Sequence, residues 1–166
     1  MLISTSRKPS QKTRSFCKNL SNALNFTYIN RGKMNMRDLF LKSSGLNYDS
    51  TVLVYEIKGN PSKITFFSNN GNEKLAILVS VNITKERLNI NTNEIKVKCN
   101  YPNLDIFGDI LGFENSYFVK NNYINIQKVD DNIDFNSKIN KIAIIDFYNK
   151  YGNKTGLQII VKKILN

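Results

Sequence analysis

The order in which strand-like and helix-like segments follow one another constrains the fold of this chain more than any other feature of its sequence. A short apolar run at the start is followed by apolar residues at helical spacing, with Phe16, Leu20 and Leu24 on one face. Pro9 and Ser10 stand where that helix would begin. The first half is predicted as β-α-β-α-β-β-β, with elements over residues 2–5, 10–24, 26–29, 36–45, 52–58, 63–68 and 74–81.

The second half carries a weaker pattern. We predict strands over residues 94–98, 117–119 and 123–127, a short helix over 104–111, and a closing β-hairpin from the apolar runs 141–147 and 157–164. Asp130, Asp131, Asn132 and Asp134 resemble the start of a calcium loop but lack its final glutamate, so they are interpreted as a solvated loop. No repeat of about 20 to 50 residues is visible. The expected fold class is α/β (α+β mixed) with a mixed sheet, in a single domain over residues 1–166.

Two loops are expected at one edge of this sheet. A helix joins the first two strands, and a crossover of this kind connects parallel strands. The loops over residues 6–10 and 30–34 then leave the same carboxyl edge, the usual ligand edge of open α/β sheets. A helix that starts near Ser10 also directs free backbone N–H groups and its positive dipole end toward that edge, which suits a phosphate.

The positive charge of the chain is concentrated near its N-terminus. The formal net charge is +11, from 24 Lys and Arg against 13 Asp and Glu. Residues 1–37 hold eight of these cations, four of the five arginines and no acid. A mutational bias toward Lys, Asn and Ile would explain a solvated basic surface, but it gives no reason for arginine to be confined to the first quarter. A phosphate-binding face does, because the planar guanidinium matches phosphate oxygens bidentately.

The composition disfavours several classes of protein. Histidine is absent, which removes imidazole acid–base chemistry, histidine-ligated metals and the common nucleophile pairs. Cys17 and Cys99 stand in unrelated contexts and predict neither a disulfide framework nor a zinc site. No apolar run approaches the roughly 20 residues of a membrane span. We therefore expect a cytoplasmic, non-enzymatic protein without a metal, a cofactor, a small-molecule substrate or a membrane partner.

The N-terminus permits one rival interpretation, an organellar transit peptide, because it is rich in Ser and Arg and lacks acids. The strand predicted over residues 2–5 argues against it, as does Pro9, which interrupts a continuous amphipathic helix. The long apolar stretch of a secretory signal is also missing. We interpret the segment as part of the fold.

Motifs across the first half resemble the Brix-domain family of ribosome-assembly factors. The opening match comprises Ser4-Thr5-Ser6-Arg7-Lys8-Pro9-Ser10, Phe16, Leu20, Asn30-Arg31-Gly32 and Asp38-Leu39. The central strands add Val52-Leu53-Val54-Tyr55-Glu56, Gly59, Pro61, Ser68, Gly71 and Leu75. The resemblance covers about residues 2–83, and Tyr101-Pro102-Asn103-Leu104 and the run 156–164 are also similar to family landmarks. The chain has Gly156-Leu157-Gln158 where the family usually has a Gly-Pro-Arg-Phe-like run.

The resemblance implies a fold of two similar halves, here about residues 1–83 and 84–166, each like the anticodon-binding domain of class IIa aminoacyl-tRNA synthetases. It also implies a role in ribosomal RNA processing and subunit assembly, with binding rather than turnover as the chemistry. The compact length is similar to that of the archaeal, stand-alone form of the family. Expected partners are a ribosomal RNA precursor and other ribosome-assembly proteins.

The candidate RNA-binding residues lie in and beside the two loops. Arg7 and Arg31 are the preferred phosphate clamps. The full candidate set is Ser6, Arg7, Lys8, Ser10, Arg14, Arg31, Gly32, Lys33 and Arg37. Ser10 is either a hydroxyl donor to phosphate or only the cap of its helix. Gly32 either lets RNA approach the backbone or serves a turn that needs a positive φ.

Other functions remain open from the sequence. The basic edge suits an acidic protein partner, in which case the chain is a docking scaffold, or a transfer RNA, in keeping with an anticodon-binding-like fold. Asp105 and Asp109 stand four residues apart and are the candidate carboxylates of a metal-dependent nuclease. Two carboxylates at helical spacing are more typical of a solvated surface, so catalysis is not expected.

Overall fold

The computed structural model of the chain describes residues 1–129 and 141–165. It divides into two compact units, unit 1 with Met1–Val79 and the end of the chain from Ile164, and unit 2 with Ser80–Lys163. The described residues form ten strands and three α-helices. The loop interpreted from Asp130 to Asp134 lies outside the described residues. No helix in the described ranges is long and apolar enough to cross a membrane.

Unit 1 has the predicted order of elements. They are β1 (Leu2–Thr5), α1 (Gln11–Leu24), β2 (Thr27–Tyr28), α2 (Met36–Gly45), β3 (Ser50–Ile57), β4 (Asn60–Ser68) and β5 (Glu73–Asn82). The strand order is β2-β1-β3-β4-β5. The first three neighbours pair in parallel and the last three pair antiparallel, which confirms the predicted mixed sheet.

Local sequence signals set the helices of unit 1. The Ser10 side chain caps α1 by accepting from the backbone N–H of Thr13. α2 begins with a capping box, in which Asn35 and Asp38 each bond to the other's backbone N–H. α1 contacts β1 and β3 with an apolar stripe. α2 contributes the fully buried Leu39 to a core cluster with two strand residues.

The parallel pairing of β1 places the two basic loops together, as predicted. Ile3 pairs with Tyr28 of β2 on one side and with Val52 of β3 on the other. Both strands that precede the loops therefore point the same way and end at the same edge. The position of that edge follows from the backbone hydrogen-bond ladder, not from the loops themselves.

Unit 2 is built from shorter elements. After a 3₁₀ turn at Pro102–Leu104 comes α3 (Ile106–Leu111), and the strands are β6 (Lys96–Cys99), β7 (Glu114–Asn115), β8 (Tyr123–Lys128), β9 (Ala143–Tyr148) and β10 (Lys154–Leu165). The strand predicted over residues 117–119 is wrong. The residues that pair with β6 are Glu114 and Asn115, so backbone pairing, rather than the β-propensity of Tyr117 and Val119, locates this strand.

The two units share one topology. In unit 2 the strand order is β7-β6-β8-β9-β10, with parallel pairs around β6 and antiparallel pairs from β8 onward. This is the arrangement around β1 in unit 1, strand for strand. The sequence shows no repeat because the equivalent strand positions share burial on one face and little residue identity.

One buried face is common to both units. Ile3 and Val52 are paired core residues of unit 1, and the equivalent pair in unit 2 is Val97 and Ile124. All four side chains are buried. A helix follows the first strand in each unit, so this face has the same kind of cover in both.

The opposite face differs, because among the described residues a second α-helix is found only in unit 1. Leu2 and Leu53 pack there with Leu39 of α2. The equivalent positions in unit 2 are Lys96 and Asn125. The segment 116–122, all of it described, forms no helix between β7 and β8. Polar residues therefore replace apolar ones at the positions where no helix follows.

Candidate nucleic-acid interface

A wide cleft opens at the edge of unit 1 where the loops after β1 and β2 meet. Its volume is about 590 Å³. Five of the residues that line it are cations: Arg7, Lys8, Arg14, Arg31 and Lys33. Pro9, Asn30 and Gly32 complete the lining. We call this the basic cleft. The structure thus brings together the loops that the sequence assigned to one edge.

Arg31 is the most unusual cation of the basic cleft because only 8% of its surface is exposed. Its Nε donates to the carbonyl of Met34 at 3.1 Å, which fixes the side chain across its own loop. Burial lowers the pKa of the Arg31 guanidinium, and the positive charge of Arg7 lowers it further. The two preferred clamps therefore lie close enough to repel one another.

None of these five cations forms an ion pair within the described residues. A buried cation without a carboxylate has lost its hydration and gained no internal counter-charge. An anion that enters the cleft supplies that charge, and guanidinium groups bind phosphate oxygens through paired N–H donors. The cleft is thus electrostatically suited to a ligand with more than one negative charge.

The loop after β1 holds its cations in a fixed path. The backbone N–H of Ser6 donates to the carbonyl of Val54 at 2.8 Å, which continues the β1–β3 ladder by one residue. Lys8 then takes a left-handed conformation with φ of 53°, and Pro9 follows. The side chains of Arg7 and Lys8 are exposed beyond this turn.

A carboxylate of the chain lies at the start of α1, where the sequence predicted free N–H groups that face a phosphate. The backbone N–H of Ser10 donates to Glu56 Oε2 at 2.9 Å, so a carboxylate of the chain already occupies the helix start. Burial raises the pKa of Glu56, but hydrogen bonds from Thr13 and Ser10 and the charge of Arg14 outweigh it and hold this pKa below its usual value. The anion-binding capacity of the edge rests on side chains.

Two of the candidates have structural roles within the chain, and two others lie outside the lining of the basic cleft. The Ser10 hydroxyl donates to the carbonyl of Gly59 at 2.8 Å and accepts from Thr13, which favours the capping alternative. Gly32 has φ of +55° and no atom within 4 Å of an added Cβ, which favours the turn alternative. Ser6 and Arg37 do not line the cleft.

Sequence reasoning missed Tyr55, which lies beside Arg31. Burial raises the pKa of the Tyr55 hydroxyl, and the charge of Arg31 opposes that shift. Lys63 Nζ stands 5.2 Å from the centre of the Tyr55 ring. The position of Tyr55 follows from the strand register, in which Val54 pairs with Thr5 and the next residue of β3 reaches the same edge. No local sequence pattern predicts that register.

The two candidate carboxylates of the nuclease alternative lie together in unit 2. Asp105 and Asp109 line a pocket of unit 2. Within the part of the chain that the structure describes, no three His, Cys, Asp or Glu side chains are grouped so that they could hold a metal ion.

The chain has relatives of known name, although no family model matches it. A probable Brix domain-containing ribosomal biogenesis protein of Methanothermobacter thermautotrophicus is 36% identical over 114 residues, which cover 69% of this chain and 71% of that protein. This chain belongs to the Brix-domain family. The resemblance of its opening motifs is thereby confirmed.

Two further Brix-domain relatives match a shorter stretch. The probable ribosomal biogenesis protein of Methanococcus maripaludis is 38% identical over 86 residues, and that of Methanococcoides burtonii is 42% identical over 82 residues. The matches span 52% and 49% of this chain and about half of each relative, 49% and 50%.

Solved structures extend the Brix-domain likeness to the whole chain. The crystal structure of an archaeal Imp4-like protein superposes with a TM-score of 0.83 at 26% identity and covers 99% of this chain and 98% of that one. A probable ribosomal biogenesis protein from Aeropyrum pernix gives a TM-score of 0.72 at 20% identity, covering 98% and 94%, and shows the fold alone. The predicted mixed α/β fold is confirmed.

Proposed function

We propose that this Brix-domain chain is a ribosome-assembly factor that binds a ribosomal RNA precursor through its phosphates in the basic cleft. The names of the relatives support the assembly role. The location of the cations supports the mode of binding, since five of them line one cleft at the carboxyl edge of parallel strands.

The observation that carries the proposal is the environment of Arg31. It is buried, it stands beside Arg7, and no described carboxylate pairs with it. Structural arginines in protein interiors are normally paired with a carboxylate of the same chain. An unpaired buried arginine that lines an open cleft is better explained by an anionic ligand.

The roles within the cleft follow from exposure and reach. Arg7 and Arg31 clamp phosphates bidentately, and Lys8, Arg14 and Lys33 add positive charge along the RNA strand. Five neutralised phosphates give a log–log salt slope of about −3.5 for single-stranded RNA, at about 0.7 per contact. The contacts are to phosphate, so the cleft positions the RNA and contributes little sequence selection.

The proposal is tested by ultraviolet crosslinking of the full chain to RNA in an archaeal host, with sequencing of the attached RNA and mass spectrometry of the attached peptides. We expect precursor ribosomal RNA as the dominant RNA, and crosslinked peptides from residues 7–14 and 30–33. Dominant transfer RNA would overturn the proposed partner in favour of the anticodon-binding-like alternative.

A ribonuclease step separates the scaffold alternative. If an acidic protein stays bound to the basic cleft after digestion of the RNA, and Arg7→Glu releases it, the cleft binds protein and the proposal fails. Lys85→Glu is the matched control, because Lys85 is exposed and does not line the cleft.

A further inference from the structure

Unit 2 has a counterpart of the basic cleft with opposite chemistry. The loops that follow β6 and β7 are topologically equivalent to those that follow β1 and β2. They border a pocket of about 330 Å³. Its lining residues are Val97, Cys99, Asp105, Ile106, Asp109, Asn115, Ser116 and Tyr117. We call this the acidic pocket, since it is lined by two carboxylates and by no cation.

The two carboxylates of the acidic pocket disfavour the binding of nucleic acid there. Asp105 and Asp109 lie one helical turn apart on the pocket wall, and both are exposed. No described residue forms an ion pair with either of them. A phosphate placed there meets two like charges, whereas a lysine or arginine side chain meets two counter-charges.

Large apolar side chains stand exposed beside the acidic pocket. Ile106 is 48% exposed and Tyr117 is 63% exposed, and both line the pocket. Phe118, the next residue, is 99% exposed. Apolar groups of this size concentrated beside one pocket are typical of protein interaction sites, where a partner removes them from water.

The pocket is preformed. α3 packs so closely on β7 that a Cβ on Gly108 would collide with the side-chain amide of Asn115. The floor is formed by the buried side chains of Val97 and Cys99. A wall and a floor of this kind need no rearrangement to accept a side chain, which lowers the cost of binding.

We propose that the acidic pocket docks a segment of another protein in which an apolar side chain is flanked by lysine or arginine. The apolar side chain enters between Ile106 and Tyr117, Phe118 covers it, and the flanking cations face Asp105 and Asp109. The charge complementarity selects a basic segment. A second copy of this chain is disfavoured, because two molecules of net charge +11 repel each other.

The test selects random heptapeptides displayed on phage against the immobilised full chain, and then measures the affinity of the selected peptides by fluorescence anisotropy. Enriched peptides are expected to contain an aliphatic or aromatic residue next to Lys or Arg. The variant Asp105→Asn/Asp109→Asn/Phe118→Ser should weaken their binding at least about tenfold, or about 1.4 kcal/mol. All three positions are exposed, so the melting temperature should not change.

The matched control is Glu86→Gln/Tyr151→Ser, which removes an exposed acid and an exposed aromatic of the same unit outside the pocket. It should leave the affinity unchanged. Unselective enrichment, or equal binding by the triple variant, would overturn the proposal. So would a self-association in sedimentation velocity that Phe118→Ser abolishes, or a loss of RNA binding in Phe118→Ser, because either result assigns the pocket a different occupant.

Discussion

The two units of this chain put the same strand topology to different chemical use. At the edge of unit 1 where the parallel strands end, the loops and the first turn of α1 bring five cations into one cleft. At the equivalent edge of unit 2, the loops and α3 bring two carboxylates and three large apolar side chains. Residues 1–79 and 80–163 each contain 12 Lys and Arg, but the first range has 4 acids and the second has 9. The strand ladders hold the loops in place, while the loop residues are free to change.

The second face of the sheet also differs between the two units, although the strand pairing is the same. Leu53, Thr65 and Ala76 lie opposite one another in unit 1. The equivalent row in unit 2 is Asn125, Asp146 and Gln158. Asp146 is 4% exposed and accepts from Gln158 Nε2 and from Lys154 Nζ, each at 2.8 Å. A row under a helix with Leu53 and Ala76 thus corresponds to a polar row, hydrogen-bonded through Asp146, in the unit where the described residues form no second helix.

Exchanging equivalent residues between the two units gives the largest expected change in the free energy of unfolding. Leu53→Asn should cost about 3 to 5 kcal/mol, because it removes a core side chain under α2 and buries an amide there. The reciprocal Asn125→Leu should range from neutral to stabilising by about 1 kcal/mol, since Asn125 Oδ1 is buried without a partner in the described residues. Urea unfolding of both variants measures the asymmetry. Equal losses would contradict the difference between the two faces.

The rates at which the two cysteines react compare the packing of unit 1 with that of unit 2. Burial raises the pKa of Cys17 in α1 to about 12, and that of Cys99 on the pocket floor to about 11. Iodoacetamide at pH 8 should modify both at least about a hundred times more slowly than an ordinary thiol, with Cys99 ahead of Cys17. Mass spectrometry of each peptide over time measures the rates, and urea-unfolded protein is the control. Rapid modification of Cys17 would show that α1 is not packed as described.

RNA binding by a variant of Arg31 tests whether this residue clamps a phosphate. Arg31→Lys keeps the charge and loses the planar fork, so we expect about tenfold weaker RNA binding with an unchanged salt slope. The control Arg87→Lys changes an exposed arginine outside the basic cleft and should have no effect. Unchanged affinity in Arg31→Lys would mean that its guanidinium does not contact phosphate.

The smallest expected change in the free energy of unfolding comes from the pair of Lys154 and Asp146 in the polar row of unit 2. The hydrogen bond to Asp146 raises the pKa of Lys154 above its ordinary value, and burial opposes this in part. Stability from this pair is therefore fully present below the ordinary lysine pKa of about 10.4 and is lost as the pH rises through the raised value. We expect less than about 1 kcal/mol, because Lys154 is largely exposed. Urea unfolding at pH 8 and pH 11 should show this loss in the native chain and not in Lys154→Met.

The sequence predicted the elements of unit 1 well because local signals coincide there with tertiary pairing. The capping box at Asn35 and Asp38 and the apolar stripe of α1 each act within a few residues. It misplaced β7 because two polar residues, Glu114 and Asn115, form that strand through pairing alone. It missed Glu56 at the start of α1, since no local pattern predicts a contact between residues 46 positions apart.

The central claim, that RNA phosphates bind in the basic cleft of unit 1, is tested most directly by the salt dependence of binding. The affinity of the full chain for single-stranded RNA should fall with a log–log slope of about −3.5, and Arg7→Glu/Lys33→Glu should reduce the slope to about −2.1 as two contacts are lost. The control Lys85→Glu/Arg87→Glu should retain the full slope. An unchanged slope in the cleft variant, or an equal reduction in the control, would contradict the account.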